Sequence, residues 1–170
     1  MLGLVLLYVG AVLFINGLSM LGKIAPREAA IMNIFTGAVS FIACFKNAFS
    51  GDPMLIQACA YGLLFSFTYL WVAYNSLTNQ DGRGLGWFSF FVAITAIFIA
   101  CDQHTSAQTF ADTWLFWCWA AWAVLWGCFF FIGALGKTSW TRPVAYLTIL
   151  QAIGTAWVPG YLMLSGHMPQ

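Results

Sequence analysis

The sequence predicts an all-α membrane protein with six transmembrane helices, and three features support this fold class. The first is composition, because 62% of the 170 residues are hydrophobic and only 6% are charged, whereas about a quarter of the residues in a soluble domain are charged. The second is a series of long, continuous apolar runs, which differ from the short alternating strands of a membrane barrel. The third is an uneven distribution of lysine and arginine. One membrane domain, residues 1–170, is therefore expected.

Six apolar runs are long enough to cross the roughly 30 Å hydrocarbon core of a bilayer as helices. The breaks between them are short, and each contains a charge, a proline or a polar cluster, so neighbouring helices should be antiparallel. The predicted spans are Leu2–Leu21, Ala29–Phe49, Met54–Tyr74, Leu85–Cys101, Phe110–Leu135 and Val144–Leu164. No basic segment precedes the first run, so we expect a retained helix rather than a cleaved signal peptide.

The basic residues predict the orientation of these helices. Five of the six lie in the first, third and fifth breaks, and only Lys46 borders an even-numbered one. The five are Lys23, Arg27, Arg83, Lys137 and Arg142. Because cytoplasmic loops are enriched in lysine and arginine, the odd loops should be cytoplasmic and both termini outside.

The first span combines two stripes of residues. Glycines recur at seven-residue spacing, which lets another helix approach closely; they are Gly3, Gly10 and Gly17. The second stripe follows the rhythm of a single helix face and consists of Leu2, Leu6, Val9, Leu13 and Asn16. The amide of Asn16 either hydrogen-bonds to another helix or faces a pore.

Aromatic and hydroxyl side chains form similar faces on the third and fifth spans. Phe65 and Tyr69 are one turn apart with Thr68 beside them, and this strip either packs against a neighbour or faces inward. The fifth span carries five of the nine tryptophans. Trp119, Trp122 and Trp126 fall within roughly 60° of one another on a helix. They either pack with each indole N–H satisfied by a neighbour or line a path for a planar polar solute.

The other two tryptophans of that span, Trp114 and Trp117, should lie on its opposite side as anchors near one membrane interface. In the sixth span, Pro159 should kink the helix and free the carbonyl near Thr155. Gln151 lies one turn before Thr155 on the same face. Its uncharged amide at membrane depth needs partners, either as structural support or as a contact for solute.

The residues that are missing from the spans restrict the function. No Asp, Glu, Lys or Arg lies deep in any predicted span, which argues against proton- or ion-coupled transport. Five dispersed cysteines and two histidines form no catalytic or metal-binding pattern, so we expect no enzyme, no metal and no cofactor. The formal net charge of +1 gives no indication of nucleic-acid binding.

What remains is an aromatic lining with scattered neutral amides and hydroxyls. An apolar constriction imposes a large dehydration penalty on ions, whereas urea or a small amide has flat faces and hydrogen-bonding edges. The pattern therefore favours a passive channel for such solutes. The alternative is a non-transporting membrane scaffold whose aromatic faces pack against partners.

Several motifs in order along the chain are similar to those of a known family. They are residues 1–10 with Asn16 and Gly17, residues 63–70 (LLFSFTYL), residues 121–126 (AWAVLW) and residues 155–159 (TAWVP). Together they resemble the AmiS/UreI family of bacterial urea and short-chain amide channels. The short loops and the GLGW stretch ending at Trp87 are closer to the amide-transporter branch than to the acid-gated urea channel.

The resemblance implies a twisted bundle of three helical hairpins with its own pore, and a hexamer in the inner membrane with lipid in its central hole. It implies substrate delivery to a cytoplasmic urease or amidase. The pore lining that carries over is Leu2, Leu6, Val9, Leu13, Asn16, Phe65, Thr68, Tyr69, Trp119, Trp122 and Trp126.

Two departures from the acid-gated member bear on regulation. That member has a glutamate in its last span where this chain has Gln151, which we count as a candidate solute contact. Its first outer loop is long and contains histidine, whereas residues 46–53 are a minimal connection here. On the outer side, only His104 and His167 could titrate near pH 6. Conduction is therefore predicted to be largely independent of pH between about 5 and 7.5.

Overall fold

The computed structural model describes residues 1–169, whose regular elements are all helical. Five continuous helices are followed by a sixth, irregular span, and all six are long and apolar enough to cross a membrane. The first five are α1 (Leu2–Met20), α2 (Pro26–Ala48), α3 (Pro53–Thr78), α4 (Arg83–Ser106) and α5 (Phe110–Gly133). The prediction of a six-span helical membrane protein is thereby confirmed.

The sixth span, Thr138–Ser165, consists of four helical segments of three kinds. A 3₁₀ turn (Thr138–Trp140) leads into α6 (Thr141–Gln151), a π-helical segment (Ala152–Trp157) follows, and α7 (Val158–Ser165) ends the span. The predicted irregularity at Pro159 is thus a π-helical segment that ends two residues before the proline. The carbonyl of Thr155 accepts a hydrogen bond from Cys118 Sγ at 3.5 Å, and Pro159, four residues later, has no N–H to donate to it.

Capping groups, rather than the limits of the apolar runs, set the ends of several helices. Asp52 accepts a hydrogen bond from the backbone N–H of Met54 at 2.8 Å and starts α3. Thr109 and Asp112 form a reciprocal capping box at the start of α5. Helix α4 continues through polar residues to Ser106, beyond the predicted end at Cys101, because hydrophobicity marks the membrane core and not the helix terminus.

The six spans are arranged as three closely packed pairs. Helix α2 packs along α3, α4 packs along α5, and α1 packs along the sixth span. The first two pairs are hairpins of consecutive helices, whereas the third joins the two ends of the chain.

The glycine stripe of α1 explains how the third pair packs. A Cβ atom at Gly10 would lie 2.7 Å from the Cβ atom of Trp157, and one at Gly17 would lie 2.5 Å from Cγ1 of Ile149. At Gly3, the nearest atom would be Cβ of Met163 at 2.9 Å. Side chains at these positions would separate the helices, which confirms the predicted role of the stripe.

The tryptophans of α5 divide nearly as predicted. Trp119, Trp122 and Trp126 are buried, and Trp117 is 63% exposed. Trp114 differs from the prediction, because it is partly buried against the core, with its ring centroid 5.5 Å from that of Phe110. Its position on the helix lies between the two faces, so it does not share the exposed side with Trp117.

Candidate solute passage

Two cavities, each of about 300 Å³, lie inside the bundle. The first, here the N-side cavity, is bordered by the beginnings of α1, α3 and α5 and by the ends of α2 and α4. The second, here the C-side cavity, is bordered by the ends of α1, α3 and α5 and by the beginnings of α2 and α4. Because consecutive helices are antiparallel, the two cavities lie towards opposite faces of the membrane.

Eleven of the twelve residues predicted as pore-lining border these cavities. Leu2, Leu6, Val9 and Trp119 border the N-side cavity, and Leu13, Asn16, Thr68, Tyr69 and Trp126 border the C-side cavity. Phe65 and Trp122 border both. The twelfth, Gln151, borders neither of them.

The cavities meet at an aromatic cluster that we call the waist, formed by Phe65, Trp119, Trp122 and Trp126. The ring centroids of Phe65 and Trp122 are 4.9 Å apart and nearly perpendicular at 84°. Trp126 lies 4.9 Å from Phe65, and Trp119 lies 5.8 Å from it. With Phe65 only 7% exposed and Trp122 only 2% exposed, the rings occupy the junction.

The indole of Trp122 fulfils both alternatives that its sequence position left open. Its ring borders both cavities, and its N–H donates a hydrogen bond to the hydroxyl of Thr155 at 2.8 Å. Nearby, Gln151 Nε2 donates to the carbonyl of Ala121 at 2.9 Å, while its buried Oε1 has no partner within residues 1–169. The sixth span therefore supports α5 from behind the waist.

Three polar groups of the lining differ from Trp122 in that they are free. Within residues 1–169, the Tyr69 hydroxyl and the indole N–H groups of Trp119 and Trp126 form no hydrogen bond. They are also not among the fully buried side-chain atoms that lack a partner, so they are not sealed inside the protein. Since these side chains border the cavities, their polar atoms are accessible there. Each cavity thus offers at least one hydrogen-bond donor to a solute.

The amide of Asn16 is held by a second asparagine. Asn16 Nδ2 donates to Asn33 Oδ1 at 3.0 Å, and Asn33 Nδ2 donates back to Asn16 Oδ1 at 2.6 Å. Asn33 also donates to the carbonyl of Ala29 at 2.9 Å, so both its N–H groups are used. Asn16 keeps one N–H and one carbonyl lone pair at the C-side cavity. Asparagines in adjacent spans were the only sequence signal for this pairing.

The lining of both cavities contains no carboxylate, ammonium, guanidinium or imidazole side chain. None of the residues that border them is Asp, Glu, Lys, Arg or His. His104 stacks on Phe116 with ring centroids 4.9 Å apart, outside the lining. Among the described residues, no group of three or more His, Cys, Asp or Glu could hold a metal.

An ion pair between Asp81 and Arg83 lies in the connection before α4, where their side-chain atoms are 2.7 Å apart and exposed. The backbone N–H and then the side chain of Arg83 donate hydrogen bonds to Asp81, and these lower the pKa of its carboxyl. This pair is remote from the waist in sequence and caps the start of the helix.

Comparison with known proteins gives matches over almost the full chain. Residues 1–167 match the AmiS/UreI family transporter model. A protein of Mycolicibacterium smegmatis named for the transport of amidate substrates is 41% identical, over 97% of this chain and 77% of its own. The acid-activated urea channel of Helicobacter pylori is 37% identical, over 98% of this chain and 99% of its own. The crystal structure of that organism's urea channel superposes with a TM-score of 0.87 at 37% identity, covering 98% and 99% of the two chains.

Proposed function

This chain belongs to the AmiS/UreI family of transporters, and from that premise we propose that it is a passive channel for urea and short-chain aliphatic amides. The observation that carries the proposal is the pair of cavities that are lined by no Asp, Glu, Lys, Arg or His and that share Phe65 and Trp122. Transport is favoured over the scaffold alternative because the similar proteins are named as a transporter and a channel.

The chemistry of the waist accounts for a passive mechanism. An ion would have to shed its water between aromatic rings with no opposite charge nearby, which is prohibitive in an apolar surrounding. A proton-coupled cycle would need a group in the path that changes charge readily, and no Asp, Glu, Lys, Arg or His borders the cavities. A neutral solute can move down its concentration gradient through the same space.

The shape of the waist favours planar solutes. Urea and small amides are flat, so their faces can slide against indole and phenyl rings while their edges keep hydrogen bonds to the cavities on either side. The free groups of Trp119, Trp126 and Tyr69 and the remaining edge of Asn16 are placed for such contacts. Because these sites are few and neutral, binding stays weak enough for release.

We assign the predicted lining residues to two roles. The apolar stripe of α1 and the aromatic rings of α3 and α5 form the wall of the passage. Thr68 is also part of this wall, and its hydroxyl donates a hydrogen bond to the Leu64 carbonyl at 2.7 Å. Gln151 lies behind this wall, so we propose that it supports α5 instead of contacting solute.

Further parts of the proposal follow from family membership and charge. We expect a homo-hexamer in the bacterial inner membrane, in a lipid environment, with both termini outside. The solute would be delivered to a cytoplasmic urease or amidase. Conduction without acid gating is supported by the position of His104 outside the cavities and by the neutral Gln151.

The test is stopped-flow permeability of proteoliposomes to urea, formamide and acetamide, with glycerol as a larger non-planar solute. We expect Trp122→Ala or Trp126→Ala to change amide flux while the protein still assembles. Trp117→Ala is the matched control, because this tryptophan is on the same helix but 63% exposed, and its flux should equal the wild type. Flux no higher than that of protein-free liposomes would support a scaffold instead.

A further inference from the structure

The hydroxyl of Thr155 fixes the ring that both cavities share. Trp122 has one hydrogen-bond donor, its indole N–H, and this donor points to Thr155 Oγ1 at 2.8 Å. Thr155 lies on the π-helical segment of the sixth span, which borders neither cavity. The orientation of the ring at the waist therefore depends on a residue behind the wall.

The direction of this hydrogen bond is set by a second one. The hydroxyl of Thr155 has a single proton, and it donates that proton to the carbonyl of Gln151 at 2.7 Å. Its lone pairs are left to accept from Trp122. The indole N–H thus meets an acceptor whose orientation is already fixed.

Thr155 contacts α5 at two successive turns. Its hydroxyl accepts from Trp122, and its carbonyl accepts from the thiol of Cys118 at 3.5 Å. Cys118 and Trp122 are four residues apart and so lie on one face of α5. The backbone carbonyl is available because Pro159 has no N–H, and the π-helical segment, a rare element that is frequent at functional sites, places both acceptors against the same helix.

We propose that Thr155 is a positioning residue that sets the size selectivity of the passage by holding the Trp122 indole against Phe65. This inference rests on the proposed channel function. By holding the N–H, Thr155 also withdraws from solutes the donor of Trp122, the one indole that borders both cavities. Donors remain on either side, at Trp119 and Trp126.

The test compares Thr155→Val, which removes the hydroxyl at nearly constant volume, with Thr155→Ser, which retains it. The readout is the ratio of urea to N,N′-dimethylurea permeability in proteoliposomes. We expect this ratio to fall by about fivefold in Thr155→Val, since methyl-sized discrimination requires a fixed wall, and to stay within about twofold of wild type in Thr155→Ser. Thr148→Val is the matched control, because that buried hydroxyl bonds only to the Val144 carbonyl, at 2.8 Å, and its ratio should equal the wild type.

A second measurement does not depend on transport. In detergent, NMR of the ¹⁵N-labelled protein can follow the exchange of the Trp122 indole N–H proton with water, and the variant Trp122→Phe identifies its resonance. This exchange should be slow in wild type and about tenfold faster in Thr155→Val, as expected for loss of one hydrogen bond. Rapid exchange in the wild type would overturn the inference even if Thr155→Val did not fold. An unchanged permeability ratio in a folded Thr155→Val would overturn it too, whereas absence of wild-type flux would instead refute the channel function.

Discussion

Replacing Gly10 with alanine tests the close packing that holds the sixth span against α1. The added Cβ atom would lie 2.7 Å from the Cβ atom and backbone nitrogen of Trp157, and 2.8 Å from its Cα atom. Carbon atoms pack best at about 3.5 Å or more, so the two spans would have to separate by roughly 0.8 Å. The contacts are with backbone, which cannot rotate aside, and the expected destabilisation is about 1–3 kcal/mol.

The assay is SDS-titrated unfolding of the protein in mixed micelles, followed by tryptophan fluorescence. Gly127→Ala is the matched control, because a Cβ atom at that helical glycine meets nothing within 4 Å. It should leave stability unchanged or raise it by up to about 1 kcal/mol, since alanine favours helix. Equal stability of Gly10→Ala and the wild type would refute the close approach of α1 to the π-helical segment.

Three further predictions concern the passage itself. Asn33→Leu removes the two hydrogen bonds that hold the Asn16 amide, so it should lower stability by about 1–2 kcal/mol and also reduce amide flux. Thr36→Val removes a hydrogen bond to the Tyr8 carbonyl and should lower stability without changing flux. Equal fluxes in the two variants would contradict the role of the Asn16 amide in the passage. Tyr69→Phe should reduce acetamide permeability by about twofold to tenfold through loss of one free hydroxyl, measured by stopped flow, with no effect on assembly. Urea flux should change less than about twofold between pH 5 and 7.5. The pKa of Asp81 is lowered in the folded protein, so its stabilising interaction is fully present above the unfolded pKa and is lost only as pH falls through the still lower folded pKa, which lies below this range. A several-fold rise in urea flux on external acidification would contradict an ungated pore.

The sequence was sufficient for those features that repeat with the period of a helix. The α1 stripe, the Phe65–Tyr69 strip and the three buried tryptophans could be assigned to faces because residues three or four apart share a side of a helix. Which faces meet is a different question. Nothing in the spacing of Trp122 or Thr155 indicated that they would form a hydrogen bond, since the contact joins segments 33 residues apart.

The sixth span shows where periodicity fails. The uncharged amide of Gln151 lies at membrane depth, and this predicted either structural support or a contact for solute. The π-helical segment begins directly after Gln151 and changes the angle between successive residues, so an α-helical projection does not place the residues that follow it, although Thr155 still hydrogen-bonds to the Gln151 carbonyl. In the structure Gln151 donates to the carbonyl of Ala121, behind the waist. The proline predicted an interruption but could not predict its form.

The arrangement of polar groups suggests how selectivity and speed are combined. Where the two cavities meet, the donor of Trp122 is occupied by Thr155, so this indole N–H cannot bind a solute. In the adjoining cavities, free donors replace part of the hydration that the solute has lost. A wall with its donors reversed, free at Trp122 and occupied at Trp119 and Trp126, would make the junction of the cavities the strongest binding site and slow release. A variant that frees the Trp122 N–H should therefore lose size selectivity and also become more easily saturated by amides, two changes that a simple widening of the passage would not produce together.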